Sequence, residues 1–372
     1  MYINSLELNN YRNYDELHIE FDPGITILYG DNAQGKTNIL EALYVSGTTK
    51  SHRGSKDKDI IKFEEDESHI RLNLTKHDVR HRIDMHLRRN KSKGVAVDGQ
   101  SIKKSGELFG IVHMIFFSPE DLSIIKNAPS ERRRFMDLEL CQLNKLYYHN
   151  YVNYNKALNQ RNTLLKQIYF NPSLKDTLDM WDTYLMEYGK CIIEEREYFI
   201  DKMNEIVQKI HHHLTGGKES IEIQYEKNVS IEDYASTMQY KREADLKYQS
   251  TQVGPHRDDI CFIVNGIDVR KFGSQGQQRT AALSLKLAEI ELVKEMIHDT
   301  PILLLDDVMS ELDSSRKNYL LDNIKDIQTI VTCTGYDDFI KSRLMINRIY
   351  KVTNGTIKIL ELEEIKDNND KI

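Results

Sequence analysis

Residues 30–37 read Gly30-Asp31-Asn32-Ala33-Gln34-Gly35-Lys36-Thr37, a glycine, four residues, then Gly-Lys-Thr. That spacing suits polyphosphate chemistry. Glycines let backbone N–H groups curl around phosphate oxygens, and the N-terminus of a following helix adds partial positive charge. Lys36 has the reach for β- and γ-phosphates, and the Thr37 hydroxyl is a hard ligand for Mg²⁺. A second candidate set lies far along the chain, where Asp306 and Asp307 close the apolar run that begins at Pro301. Asp306, at the end of such a strand, would join the Mg²⁺ shell, and Asp307 would face an attacking water as base or orienter. A buried strand capped by a solvated acid pair is the plain alternative. A third set, Ser274, Gly276 and Gln277, opens a strongly helical stretch. Its N-terminus is a second anion site for which one chain has no phosphate to spare. The economical expectation is that it caps a triphosphate held by a second copy. Ser274 also suits ordinary helix capping, which uses the same geometry.

The flanking residues predict the elements that hold these groups. Ile25–Tyr29 reads as a buried strand running into the loop, and Asn38–Tyr44 as the helix leaving it. Upstream and downstream, Leu6, Leu8, Leu17, Ile19, Phe21, then Ile70, Leu72, Leu74, then Ile83, Met85, Leu87 alternate with polar residues, the period of half-buried strands. Gly94–Gly99 reads as a hairpin edge. From about residue 118 the period changes to helical. Pro119 with Glu120 and Asp121 suits a helix start. Ser130–Gln167 contains neither Pro nor Gly, and Leu174–Leu214 is broken only by Gly189. Joined near Pro172, these two stretches predict an antiparallel arm, too weak in heptads for a long coiled coil. Ile221–Tyr225 is a short strand. After Gly254 strand and helix alternate again. The chain is therefore expected to be α/β, with one nucleotide-binding lobe from 1–117 and 246–372 and an inserted, mainly helical lobe from 118–245. The tail Lys366–Ile372 is expected to fray.

Composition narrows the possibilities. The chain has 372 residues, 51 basic against 58 acidic, a formal net charge of −7. There is no bulk attraction for nucleic acid, so any DNA contact must come from a local basic surface. No apolar run approaches the ~20 residues of a membrane span. Cys141, Cys191, Cys261 and Cys333 form no CxxC pair, as in a reduced, cytoplasmic protein. His211-His212-His213 point in different directions on a helix and read as a partly solvated helix end rather than a zinc site.

A local basic surface exists. Between residues 80 and 104 lie Arg80, Arg82, Arg88, Arg89, Lys91, Lys93, Lys103 and Lys104, against Asp84 and Asp98. On alternating strands they offer a basic face for DNA, or simply a solvated ribbon. Arg132 and Arg133 sit at a helix start, poorly placed for the dipole, and call for a phosphate or an acid such as Asp137 as partner. No base-reading module is visible, which predicts recognition of backbone and shape, at duplex or a gap boundary.

Taken in order, Asn10–Tyr14, Gly30–Thr37 with Asn38–Ala42, Ser51–Arg53, Pro119–Leu122 with Pro129–Asp137, Gly254–Asp259, and Asp306–Asp313 resemble the ABC-type ATPases of the SMC class. The similarity spans nearly the whole chain and is closest to the recombination mediators of that class. It implies an ABC-type P-loop ATPase lobe, ATP and Mg²⁺ as cofactors, and ATP-dependent homodimerisation on duplex, gapped or junction DNA. It also implies weak, DNA-stimulated hydrolysis in DNA repair, replication restart and the SOS response. Delivery of the RecA recombinase with RecO and RecR is implied as well. By that resemblance Ser274, Gly276 and Gln277 fall on the signature that acts across the dimer, and Ser310, Glu311, Leu312 and Asp313 on the loop linking the two sites. Three positions depart from the pattern. Asp307 stands where most ABC ATPases have Glu, favouring slow turnover. Asn127 stands where the segment usually has Gly. Thr332 or Thr334 stands where a switch histidine is usual. The alternative class is an ABC-type ATPase acting on a protein or membrane partner; an isolated P-loop kinase leaves the Ser274 signature unexplained.

Overall fold

The computed structural model describes residues 1–335 and 346–360, so the tail Lys366–Ile372, expected to fray, lies outside the described residues. The chain divides into two compact units, Met1–Glu120 with Val293–Ile372, and Asp121–Leu292.

The first unit holds two sheets. One is antiparallel, in the order Tyr14–Glu20, Tyr2–Tyr11, Glu67–Lys76, Val79–Arg88, Gly94–Val97, Gln100–Ser101. Its alternating residues Leu6, Leu8, Leu17, Ile19, Ile70, Leu72, Leu74, Ile83, Met85 and Leu87 are all buried, as their period requires. A bulge between Ile3 and Ser5 shifts the register, which is how both Ile3 and Leu6 turn inward.

The other sheet runs Thr356–Leu360, Ile346–Thr353, Ile25–Tyr29, Thr329–Cys333, Ile302–Asp306, Met114–Phe117. All neighbours are parallel except the hairpin strand at the edge. Its central strands are apolar without alternation because a parallel sheet is covered on both faces. The strand order has a consequence that sequence order does not reveal. Thr329–Cys333 lies between the strand that feeds the phosphate loop and the strand that ends in Asp306. Parallel strands bring their C-terminal ends to one edge, where such sheets place ligands.

The second unit is mainly helical. Helices Pro129–Leu143, Lys145–Ile168, Leu178–Leu214 and Tyr234–Tyr248 accompany a small antiparallel sheet of Ile267–Asp268, Asp259–Val264 and Ile221–Glu226. Lys145–Ile168 packs on Leu178–Leu214 as the arm, closed at its turn by Leu164, Leu165, Ile168 and Leu178 with Trp181. Two details differ from the sequence reading. The unbroken helix over 130–167 is two helices, because Asn144 is extended and its side chain accepts from the amides of Leu146 and Tyr147, starting a new helix. The insert does not end at 245. Asp259–Val264 pairs with Ile221–Glu226 over six residues, which holds the following segment, through Leu292, in the second unit.

Candidate nucleotide site

Gly30–Thr37 forms the turn between strand Ile25–Tyr29 and helix Lys36–Thr48. The loop follows a course that only its sequence permits. Gly30 and Gly35 have φ of 153° and 113°, and Ala33 is left-handed at 64°. A Cβ on Gly35 would lie 2.6 Å from Asn13 Nδ2 and 2.7 Å from the Tyr14 hydroxyl, so glycine is required sterically as well as conformationally.

Surrounding residues fix the loop from outside. Tyr14 donates to Gly35 O at 3.0 Å, and Asn13 Nδ2 to Gln34 O at 3.1 Å. From the hairpin, Asn354 N donates to Gln34 Oε1 at 2.7 Å and Gly355 N to Gln34 O at 3.2 Å. Gln34 is thus a loop anchor. Lys36 donates to the carbonyls of Gly30 and Asp31, the latter at 2.8 Å. Burial lowers the pKa of its ammonium, against the opposing pull of Cys333 and the carboxylates of Asp307, Asp306 and Asp31.

Thr37 and Asp306 meet. Thr37 Oγ1 donates to Asp306 Oδ1 at 2.8 Å. The same carboxylate oxygen accepts from Thr332 Oγ1 at 2.7 Å, and Thr332 Oγ1 in turn accepts from Asp307 N at 3.0 Å. Thr332 is buried in the intervening strand and ties both acids to it. The fit to Mg²⁺ is close. Oxygens adjacent on an octahedral ion with bonds of 2.0–2.1 Å lie about 2.9 Å apart.

Asp307 is left-handed, φ 52°, a conformation that short Asp tolerates better than longer side chains. Ser310 Oγ holds its carbonyl at 2.7 Å. Burial, and then Asp306 beside it, push the Asp307 carboxyl above the usual carboxylate range. Ser310, Glu311 and Asp313 are exposed and Leu312 is half-buried. Asp313 caps helix Ser314–Asn323 by accepting from Arg316 N at 3.0 Å.

Behind the loop lies a buried polar knot that sequence reasoning missed. Glu41, on the apolar face of the loop helix, is fully buried. Arg12 grips it with Nε at 2.8 Å and Nη2 at 2.7 Å, and Ser51 Oγ donates to it at 2.5 Å. Burial alone would raise the Glu41 pKa, but Arg12 and Ser51 outweigh it and hold the group below the usual carboxylate range. The signal was present as one carboxylate within Ile39-Leu40-Glu41-Ala42. Beside it, His52 stacks on Phe116, 3.7 Å between ring centroids.

In the second unit, Ser274 precedes helix Gln275–Ile297. Gln277 N donates to Ser274 Oγ at 3.2 Å and Ser274 N to Gln277 Oε1 at 3.0 Å, a reciprocal cap. Gln277 Nε2 donates to Glu219 Oε1 at 3.0 Å. Gly276 is exposed, and helix geometry leaves the first amides of this turn without intrahelical acceptors.

The candidate DNA residues separate. Arg80, Arg82 and Arg88 share the outer face of strand Val79–Arg88. That face is a mosaic rather than uniformly basic. Asp84 accepts from Arg82 and from Arg71, each at 2.8 Å. Arg89 is tied to Glu65 O at 2.8 Å, while Lys91 is exposed. Arg132 is a correction. It is 1% exposed and forms a fork with Asp259 at 2.6 and 3.0 Å, so it is a structural cation with no surface to offer DNA. Arg133 is half-buried and donates to Asp258 O at 2.6 Å. Asp137 is held by buried Arg196 at 2.7 Å, and Arg196 also reaches Asp258 at 3.0 Å. The Pro129–Asp137 and Gly254–Asp259 segments are thus joined by one internal salt-bridge network. His211 is buried against Ser284, whereas His212 and His213 are exposed.

Comparison with known proteins gives the family. Residues 2–358 match the RecF/RecN/SMC N-terminal domain family. The DNA replication and repair protein RecF of Lachnoclostridium phytofermentans is 61% identical over 96% of this chain and 99% of its own. RecF of Clostridium botulinum (strain ATCC 19397 / Type A) is 45% identical over 96% of this chain and 100% of its own. A structure of the recombination mediator protein RecF with ATP in the RecFOR pathway superposes with a TM-score of 0.91 at 36% identity, covering 97% of this chain and 98% of that one. The Smc head domain from Pyrococcus furiosus, 18% identical with a TM-score of 0.57 over 100% of this chain and 99% of its own, shares the fold. The fold is that of an ABC-type P-loop ATPase lobe with an inserted, mainly helical lobe, and the chain belongs to the RecF family of DNA replication and repair proteins.

Proposed function

We propose that this protein is an ATP-gated DNA clamp of recombinational repair, acting in the cytoplasm as a homodimer. The observation that carries the reading is the convergence of Thr37 and Asp306 at 2.8 Å beside the phosphate loop. The similar structure of RecF with ATP supports ATP as the nucleotide. The loop amides and Lys36 cradle its phosphates. Thr37 and Asp306 hold Mg²⁺, which supplies charge neutralisation at the phosphates. Asp307 orients the attacking water. Its reach, one methylene shorter than that of Glu, favours slow turnover.

Ser274, Gly276 and Gln277 of one copy cap the γ-phosphate held by the other, and Ser310–Asp313 links the two sites. Contacts to the γ-phosphate exist only before cleavage. That difference supplies the state-dependent affinity a switch needs. DNA lies against the mosaic face through Arg80, Arg82, Arg88, Arg89 and Lys91, contacted by backbone and shape at duplex or a gap boundary. RecO and RecR are the expected protein partners, with RecA loaded as the outcome. Among the described residues no helix is long and apolar enough to cross a membrane.

The test is Lys36→Arg in a DNA-retention assay with and without ATP. The reading expects ATP-dependent retention in the parent and its loss in the variant. Equal retention by the two proteins contradicts it.

A further inference from the structure

The outer face of the antiparallel sheet carries a cluster that the nucleotide chemistry does not use. His69 and His86 are register partners on strands Glu67–Lys76 and Val79–Arg88. Their imidazoles lie nearly parallel, 4.1 Å between centroids and 20° between planes. Glu67, two residues before His69 and so on the same face, brings its carboxylate to 2.7 Å from His86 Nε2. One ligand atom from each of the three side chains lies within 4.8 Å of the others. His69 and His86 border an open groove of about 360 Å³ that also takes in Glu7, Asn9, Arg71 and Asp84.

Two imidazole nitrogens and one carboxylate oxygen form the donor set that zinc accepts, and imidazole also suits copper and nickel. We propose that Glu67, His69 and His86 form a binding site for a divalent transition-metal ion of the zinc class, with water completing the tetrahedron. Bonds of about 2.1 Å place tetrahedral ligand atoms about 3.4 Å apart. Glu67 and His86 are at 2.7 Å and all three ligand atoms lie within 4.8 Å of one another, so an ion would enter as the side chains rotate out of their present stacked and hydrogen-bonded arrangement. The scaffold is firm, because the two strands are paired over ten successive residues, from Glu67↔Arg88 to Lys76↔Val79. The nearby cations are engaged elsewhere. Arg71 is bound to Asp84 at 2.8 Å and Glu7 at 3.2 Å, and Arg88 donates to Ser92 O at 2.9 Å. An ion here would bridge the two strands and add positive charge to the face that carries Arg80, Arg82 and Arg88.

The experiment is calorimetric titration of the metal-stripped full-length protein with zinc chloride, without nucleotide or Mg²⁺. Visible absorption of the cobalt-substituted protein is the second readout. The parent is expected to bind one zinc ion that His69→Ala together with His86→Ala abolishes. Glu67→Gln should weaken it about tenfold or more, at least the cost of disturbing an outer-shell partner. Cobalt should give tetrahedral absorption bands that vanish in the double variant. Far-ultraviolet circular dichroism identical to the parent establishes that the double variant is folded, and His86→Asn serves in its place if it is not. A parent that binds no zinc at micromolar concentrations overturns the proposal. So does a zinc stoichiometry and affinity that survive loss of the histidines, which would assign the metal to the cysteines or to Asp306.

Discussion

Thr37 and Asp306 are 269 residues apart in sequence and share a hydrogen bond of 2.8 Å. Thr37 lies in the first turn of helix Lys36–Thr48, and the strand that feeds its loop does not pair with the strand that ends in Asp306. Thr332 of the intervening strand holds Asp306 in place from the opposite side. If this pair shares one Mg²⁺, Thr37→Val and Asp306→Asn should each remove the Mg²⁺ dependence of ATP affinity, while affinity in EDTA changes little. Titration of a fluorescent ATP analogue with and without Mg²⁺ reads this directly. A full Mg²⁺ effect in either variant would place the ion elsewhere.

Asp307 invites a different substitution. Asn fits its left-handed backbone and keeps its size, but cannot accept a proton from water. Asp307→Asn should leave ATP binding within about twofold and lower hydrolysis about 100-fold, the lower range for loss of a positioned base. A turnover assay under saturating ATP settles it; unchanged turnover would remove Asp307 from the reaction.

Arg132 and Arg82 predict opposite outcomes. Arg132 is buried and forks Asp259, which Arg270 also contacts at 3.0 Å, so removing Arg132 breaks a buried ion pair at a cost somewhat below the about 3–5 kcal/mol of a wholly stranded charge. Arg132→Ala should therefore move the urea midpoint strongly. Arg82→Ala, on the exposed face, should stay within about 0.5 kcal/mol.

The DNA face is tested by salt. If about four of its cations meet phosphates, log K against log salt has a slope of roughly −3.6. Arg80→Ala with Lys91→Ala should reduce that magnitude by about 1.8 and weaken binding to all sequences alike. Fluorescence anisotropy across a salt series gives the slope. An unchanged slope would move the interface to another surface.

His256 sets an acid limit on stability. Its Nε2 donates to Thr251 O at 3.0 Å and its Nδ1 accepts from Tyr154 at 2.7 Å, which fixes the neutral tautomer. Burial, and then the Arg257, Arg133 and Arg196 charges, push its pKa down to about 4, against the Thr251 contact. The unfolded chain binds the proton at about 6.5 and the folded one does not. Stability is thus fully present above pH ~6.5 and declines toward pH ~4, by up to roughly 3 kcal/mol. Urea unfolding between those limits should show the slope, and His256→Gln should flatten it.

The sequence was most legible where function is local. Gly30–Thr37 specifies its own turn, and the alternation of Ile70, Leu72, Leu74 specifies a strand with one buried face. It was least legible where partners are remote. Nothing near Arg132 announces Asp259, so a buried structural cation resembled a DNA contact. Thr332 could be placed only as a stand-in at a switch position, because its task depends on strand order. Asn144 divided an apparently continuous helix since its capping bonds compete with a period that runs straight through it. The boundary at 245 failed because the pairing of Asp259–Val264 with Ile221–Glu226 is non-local.

The most direct measurement is sedimentation velocity of the full-length protein with Mg²⁺ and a non-hydrolysable ATP analogue, with ADP, and without nucleotide, each with gapped duplex. A triphosphate held by Lys36 and Thr37 of one copy and capped by Ser274 of another predicts a dimer only with the ATP analogue, abolished by Lys36→Arg. A monomer under saturating analogue and DNA, or a dimer indifferent to nucleotide, contradicts it.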